Sequence, residues 1–278
     1  LALVASRIDF GAAGDRLSGG RWGYFAAAVA ALFASFVVGA LRWHVLLNAA
    51  GIESPRAQTI RAYLIGMFTT NFLPTQIGGD VTRAWIAGRR GLRVRTAATV
   101  VVDRASALVC LVVVAWLALA ADPGPVPGFL IGALGAATTF LVIVALVAAV
   151  LLRRGTRLGP WTEEARRATR ACLRAPVVRT TLTLGLVFQG LVVLALWLLA
   201  RAIVLGAPFS VLAVVLPPVL IATTLPISIA GFGVREGMFA LLLRHANVDT
   251  TDATLLSLLS AAAFAVASLP GGLVLLRR

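Results

Sequence analysis

The run "AATTFLVIVALVAAVLL" at residues 136–152 carries no charged side chain and neither proline nor glycine. A helix with this composition has no polar face to offer water. About 20 mostly apolar residues cross a bilayer as a helix. In lipid the backbone must satisfy its own hydrogen bonds, which leaves helices and closed barrels as spanning structures. The run belongs to an expected span at 128–152, and similar apolar stretches at 24–48, 96–121, 180–205 and 253–276 predict further spanning helices. The composition agrees: 60% of the 278 residues are hydrophobic and 13% are charged, against about 25% charged residues in soluble domains. The expected class is all-α, a polytopic transmembrane helical protein.

All 25 basic residues are arginine, and the formal net charge is +14. Eight arginines fall in the loop 153–179 and four more in "RRGLRVR" at 89–95. Arginine gathered between apolar spans marks the cytoplasmic side and suits anionic headgroups, so nucleic acid is not the expected partner. With these loops and Arg277-Arg278 inside, and the arginine-free "DPGPVPG" (122–128) outside, each span acquires a direction. The opening "LALVASRI" reads as the tail of another span, bringing the total to about six.

The parity of crossings then singles out two stretches. Residues 57–88 begin and end inside, and residues 209–243 begin and end outside, yet the apolar arms in each are too short to cross. Both are expected to be re-entrant helical hairpins. Their centres are similar: "LPTQIGGDVTR" (73–83) and "LPISIAGFGVR" (225–235) share five of eleven residues. The offset of 152 (225 − 73) also carries 24–48 and 96–121 close to 180–205 and 253–276. This predicts a single membrane domain over 1–278 arranged as an inverted repeat. The first repeat is 1–121, and the second is 122–278 with the Arg-rich loop 153–179. Broken helices in inverted repeats are a recurring transporter plan.

Non-helical backbone at membrane depth survives only when buried in protein or lining a cavity. Pro74 and Pro226 lack an amide donor, while Gly78, Gly79, Gly231 and Gly233 permit tight reversal at the hairpin tips. Near the tips stand Asp80, Arg83, Arg235 and Glu236, with Asp103 and Arg104 farther along. A charge at the bilayer centre costs about 2.5–3.5 kcal/mol on insertion scales and more in simulations. Asp80 and Arg83 share one helix face at a spacing of three. In one reading Arg83 and Arg235 attract a lipid phosphate, and Asp80, Asp103 and Glu236 balance charge or receive a cationic group. In the other, these residues only lock the hairpins in place through salt bridges. Arg104 serves either the site or the interface, to which it snorkels. In the functional reading the tips meet deep in the fold and bring Arg83 and Arg235 together.

The remaining features read as structural. "GFLIG" (128–132) and "GVREG" (233–237) have the small-xxx-small spacing of close helix packing. Trp22, Trp43 and Trp161 suit interface anchors. "PWTEEARRATRACLR" (160–174) predicts a short surface helix capped by Thr162. Cys110 and Cys172 imply no disulfide framework. Isolated His44 and His245 suggest no metal site.

The blocks "LRWHVLLNAAGI", "FLPTQIGGDVTRA", "VVDRASALVCL" and "LPISIAGFGVREGMFALLL" resemble, in order, those of the lysylphosphatidylglycerol synthase transmembrane-region (flippase-like) family, over about 41–278. The resemblance implies a membrane domain that moves a modified phospholipid between leaflets. It marks Arg42, Trp43, Pro74, Gly78, Gly79, Asp80, Arg83, Asp103, Arg104, Gly231, Gly233, Arg235 and Glu236. Two departures stand out: Ala230-Gly231 replaces a glycine pair, and 278 residues leave no room for the soluble aminoacyl-transfer domain of full-length synthases.

The expected function is therefore translocation of a phospholipid, such as an aminoacyl-phosphatidylglycerol, across the bacterial inner membrane. The alternatives are a transporter of a small polar solute and a non-catalytic scaffold for envelope lipid or glycan synthesis. No nucleophile–base or metal set suggests an enzyme, and no cofactor is expected. No G-x-x-x-x-G-K-[ST] motif occurs, so uphill transport would draw on an ion gradient, with Asp80, Asp103 or Glu236 as proton carriers. Expected partners are membrane phospholipids, an enzyme of envelope-lipid biosynthesis and further copies of the chain.

Overall fold

The computed structural model describes residues 19–73, 77–88, 92–122, 126–154, 159–224 and 233–276. These form α1 (Trp22–Ala49), α2 (Arg56–Thr70), α3 (Ile77–Ala87), α4 (Arg93–Ala121), α5 (Gly128–Arg154), α6 (Pro160–Cys172), α7 (Ala175–Ala202), α8 (Phe209–Thr224), α9 (Val234–Arg244) and α10 (Thr250–Leu276). No strand occurs among the described residues. The chain is a polytopic helical membrane protein. Five described helices are long and apolar enough to cross: α1, α4, α5 through Leu152, α7 and α10. Each matches an expected span to within a few residues. The sixth expected crossing, together with Pro74, Pro226 and Gly231, lies outside the described residues.

Local chemistry sets the helix ends. Past α1, Gly51 takes φ +75° and Ile52 N–H bonds back to Leu47 O at 2.9 Å, a Schellman closure. After α9, Asn247 plays the same part at φ +57°, with Val248 N–H on Leu243 O. After α7 the left-handed position falls to Val204 (φ +58°), where a branched side chain makes it costly. Asp249 accepts from Thr251 N–H at 2.8 Å ahead of α10. Those amides hold its carboxyl below the usual carboxylate range.

The helix ends gather at two rims. At one, Cys172 Sγ meets Leu46 O, Arg95 pairs with Glu164 at 2.9 Å, and Arg170 donates to Leu152 O at 2.8 Å. At the other, Arg21 N–H bonds Ala202 O at 2.9 Å, Ser210 donates to Asp122 at 3.2 Å, and Phe129 stacks on His245. The pair α2/α3 starts and finishes at the first rim, and α8/α9 at the second. These four helices have 15, 11, 16 and 11 residues. At about 1.5 Å per residue none covers the ~30 Å of a hydrocarbon core. Within the bundle α1 lies along α7, α2 packs against α10, and α8 packs against α4.

Close approach falls at glycines other than those expected. Gly128, Gly132 and Gly237 face open space, so these three glycines admit no close helix approach among the described residues. Instead Gly271 lies against the Leu64 carbonyl and Gly272 against the Phe68 ring, seating α2 on α10. Trp43 is also no interface anchor: it is wholly buried, whereas Trp22 and Trp161 are exposed as expected.

The surface helix α6 starts at Pro160 as expected but is not capped by Thr162. Gly159 is its N-cap at φ +126° and Pro160 opens the first turn, while Thr162 Oγ1 donates back to Gly159 O at 2.8 Å. Arg167 and Arg166 bond Glu163 and hold its carboxyl below the usual range.

Candidate functional site

The site is assembled from three helices. On α3, Asp80 sits in the first turn, where a carboxylate complements the helix dipole. Arg83 follows one turn later on the same face. Its Nε donates to Asp80 Oδ1 at 3.0 Å and its Nη2 donates to Asp103 Oδ2, on α4, at 2.9 Å. From α1, Arg42 Nε takes the other oxygen, Asp103 Oδ1, at 2.8 Å. Arg104, one residue beyond Asp103, donates Nε to Asp80 Oδ2 at 2.6 Å. Three guanidinium groups thus meet two carboxylates, a formal charge of +1 for the five side chains.

Glycine makes the approach possible. Gly79 lies on the Gly66 carbonyl and the Thr70 hydroxyl, and Gly66 lies against the base of the Arg83 side chain. A Cβ at Gly79 would overlap the α2 backbone, so this glycine sets how deeply α3 settles. Gly78 faces Leu73 in the same crowded turn.

Burial is nearly complete. Arg42, Arg83 and Asp103 are each 1% exposed, and Asp80 is 7% exposed. Arg104 differs, with 40% of its side chain exposed. Aromatic faces line the cluster: Arg83 lies 4.8 Å from the Trp43 ring centroid and 4.9 Å from that of Tyr63. Arg42 lies 5.1 Å from that of Phe188. Trp43 is fixed in turn by its indole N–H, which donates to Thr99 Oγ1 at 3.1 Å. The Nη1 atoms of Arg42 and Arg83 are buried without a hydrogen-bond partner among the described residues. An unmade bond to a buried charged donor is costly.

Arg235 and Glu236 form a second cluster. Arg235 Nη2 donates to Glu236 Oε1 at 3.1 Å, and both residues meet Ser257 of α10, at 3.2 and 3.3 Å. Glu236 also accepts from the Gly233 amide, closing the start of α9. These neighbours in sequence therefore converge on one spot. Ser257 marks this cluster on α10. The first hairpin meets α10 at Ser268, where Asn71 donates at 2.8 Å, and at Gly271. Ser257 and Ser268 are 11 residues apart (268 − 257), about 16 Å along a helix. Arg83 and Arg235, expected to meet, thus share no partner among the described residues. All of Arg83's partners lie in the first cluster.

A spacing of three joins Asp80 to Arg83 in the sequence. Arg42 and Trp43 enter the site only through the family resemblance, Trp43 being otherwise read as an interface anchor, and Tyr63 and Thr99 were not foreseen. The one available signal was Tyr63 itself, one of two tyrosines in the chain, placed within a short apolar helix. Among the described residues no group of three His, Cys, Asp or Glu side chains stands together as a metal set would.

Fold and site define a multi-pass membrane protein built of long spanning helices, two pairs of short helices opening on opposite rims, and a buried arginine–aspartate network. The chain belongs to the lysylphosphatidylglycerol synthase TM region family, which matches residues 1–272. Neither a curated protein nor a solved structure matches it.

Proposed function

We propose that this protein carries a phospholipid, or a modified phospholipid such as an aminoacyl-phosphatidylglycerol, between the leaflets of the bacterial inner membrane. Its Arg-rich loops face the cytoplasm, and no covalent chemistry is involved. The observation that carries the reading is the pair of buried guanidinium groups, Arg42 and Arg83. Arg42 spends its Nε and Nη2 on Asp103, Arg83 divides the same edge between Asp80 and Asp103, and each keeps a buried Nη1 without a partner among the described residues. A phosphate offers the acceptor oxygens that such donors lack. Asp80 and Asp103 keep the arginines ordered while the headgroup is elsewhere.

An inverted repeat supplies the alternation. The series α1, α2, α3, α4 has lengths 28, 15, 11 and 29, and α7, α8, α9, α10 has 28, 16, 11 and 27. Contacts exchange in the same sense: α4 holds α8 as α10 holds α2, and α1 lies against its own counterpart, α7. The short pairs open on opposite rims. Rocking of one unit against the other would expose the site to each face in turn.

The test is reconstitution in vesicles with fluorescent phospholipids of several headgroups. Accelerated leaflet exchange that favours phosphate-bearing lipids supports the reading. Exchange no faster than in protein-free vesicles, for every headgroup, refutes it.

A further inference from the structure

Arg104 is out of place for a spanning helix. It lies 11 residues into the 29-residue α4 (104 − 93), about 16 Å from the helix start and close to the helix midpoint. Yet 40% of its side chain is exposed. Its surroundings are those of a lipid-facing wall. Val101, one turn earlier on α4, and Val81 and Trp85 on α3 are all exposed, at 68%, 62% and 67%. Ala97 and Ala105 extend the exposed α4 stripe. Behind this wall stands Asp80, which joins Arg104 at 2.6 Å to the buried Arg83 and Asp103.

We propose that the α3/α4 face is the lateral portal of the protein. A phospholipid from the adjacent leaflet lays its acyl chains along Val81, Trp85 and Val101. Its phosphate binds Arg104 before passing to the buried arginines. This rests on the translocation reading and adds to it a route and a first contact. Two features favour a lipid over a free anion. The partly exposed Arg104 side chain borders an apolar wall, where a lone anion would have to shed its water in hydrocarbon. A phospholipid brings both the charge that Arg104 attracts and the chains that the wall accepts. Passage exchanges one charge-assisted bond for another: as the phosphate engages Arg104, Asp80 keeps Arg83 as a partner.

The test uses the full chain in mixed phosphatidylglycerol–phosphatidylethanolamine vesicles with two photoreactive probes carrying the same diazirine acyl chain. One probe is phosphatidylglycerol and the other is diacylglycerol, which lacks phosphate. Cross-linked peptides are mapped by mass spectrometry. Phosphatidylglycerol should label the peptides bearing Val81, Trp85 and Val101 more strongly than diacylglycerol does. Arg104→Gln should remove about tenfold of that preference, the scale of one lost charge-assisted contact, and Arg104→Lys should retain it. Equal labelling by both probes, labelling confined to other helices, or an Arg104→Gln pattern identical to that of the unaltered protein would each overturn the portal. Leaflet exchange measured on the same vesicles separates the two readings. Exchange without a labelling preference removes the portal alone, and a preference without exchange upholds the portal and removes translocation alone.

Discussion

Arg83, on a short helix, donates Nη2 to Asp103 Oδ2, on a spanning helix, at 2.9 Å with both side chains sealed from solvent. Arg42 holds the opposite oxygen of the same carboxylate. Asp103 is thus the common anion of two buried cations. Its loss strands Arg42 and leaves Arg83 with Asp80 alone, and breaking a buried pair by removing one partner costs about 3–5 kcal/mol. Asp103→Asn should therefore lower thermal stability in detergent markedly, by more than Asp80→Asn. Asp80 is less deeply buried and shares its charge with the exposed Arg104. Thermal unfolding of the two variants, followed by tryptophan fluorescence, checks the order.

Val204 is a branched residue at φ +58° after α7, in the position that closes the helix through Leu205 N–H on Ala200 O at 2.8 Å. The left-handed conformation costs roughly 1–2 kcal/mol for a residue with a Cβ. Val204→Gly should raise stability by about 1 kcal/mol, after allowance for the extra chain entropy of glycine. The same melting experiment reads it.

Gly271 admits the Leu64 carbonyl so closely that an added Cβ would overlap it. Gly271→Ala should push α2 away from α10 and carry the first hairpin with it. We expect a loss of about 1–3 kcal/mol, the usual range for overpacking. Gly132→Ala, inside α5 with nothing within 4 Å, should cause no such loss and raise stability by about 0.5–1 kcal/mol through the lost chain entropy of glycine.

Cys172 is buried at the end of α6 with its Sγ near Leu46 O. Burial pushes its thiol up to about 11, above the ordinary value of 9.0. The raised pKa favours the protonated thiol in the fold. That contribution is fully present below pH 9 and is lost as the pH rises toward 11. At pH 8 the folded protein should resist maleimide at this residue, and mild unfolding should expose it. Labelling time courses with and without denaturant check this.

The spans were legible in the sequence because lipid leaves so few choices. Residues 24–48 and 253–276 are apolar throughout most of their length and became α1 and α10. The short helix pairs followed from counting which loops carry arginine, since an uncrossed stretch must return to its own side. The salt bridge from Asp80 to Arg83 followed from a spacing of three. Arg42 with Asp103 could not be read this way, because 61 residues separate them and no local periodicity joins them. Trp43 looked like an interface anchor because its chemistry is the same in both places; only the fold sets it over Arg83 and against Thr99. The glycine spacing in "GFLIG" misled for a related reason. A small-xxx-small stripe permits close packing, but α5 brings no neighbour to Gly128 or Gly132 among the described residues.

The proposed translocation depends on the buried guanidinium pair handling a lipid phosphate during passage. The most direct measurement is the rate of leaflet exchange of labelled phosphatidylglycerol in vesicles, comparing the unaltered protein with Arg42→Gln and Arg83→Gln after confirming that each variant is folded. Translocation through this site requires exchange well above protein-free vesicles and a drop of about tenfold or more in either variant, as for a lost charge-assisted contact. Rates in both folded variants equal to that of the unaltered protein would contradict it.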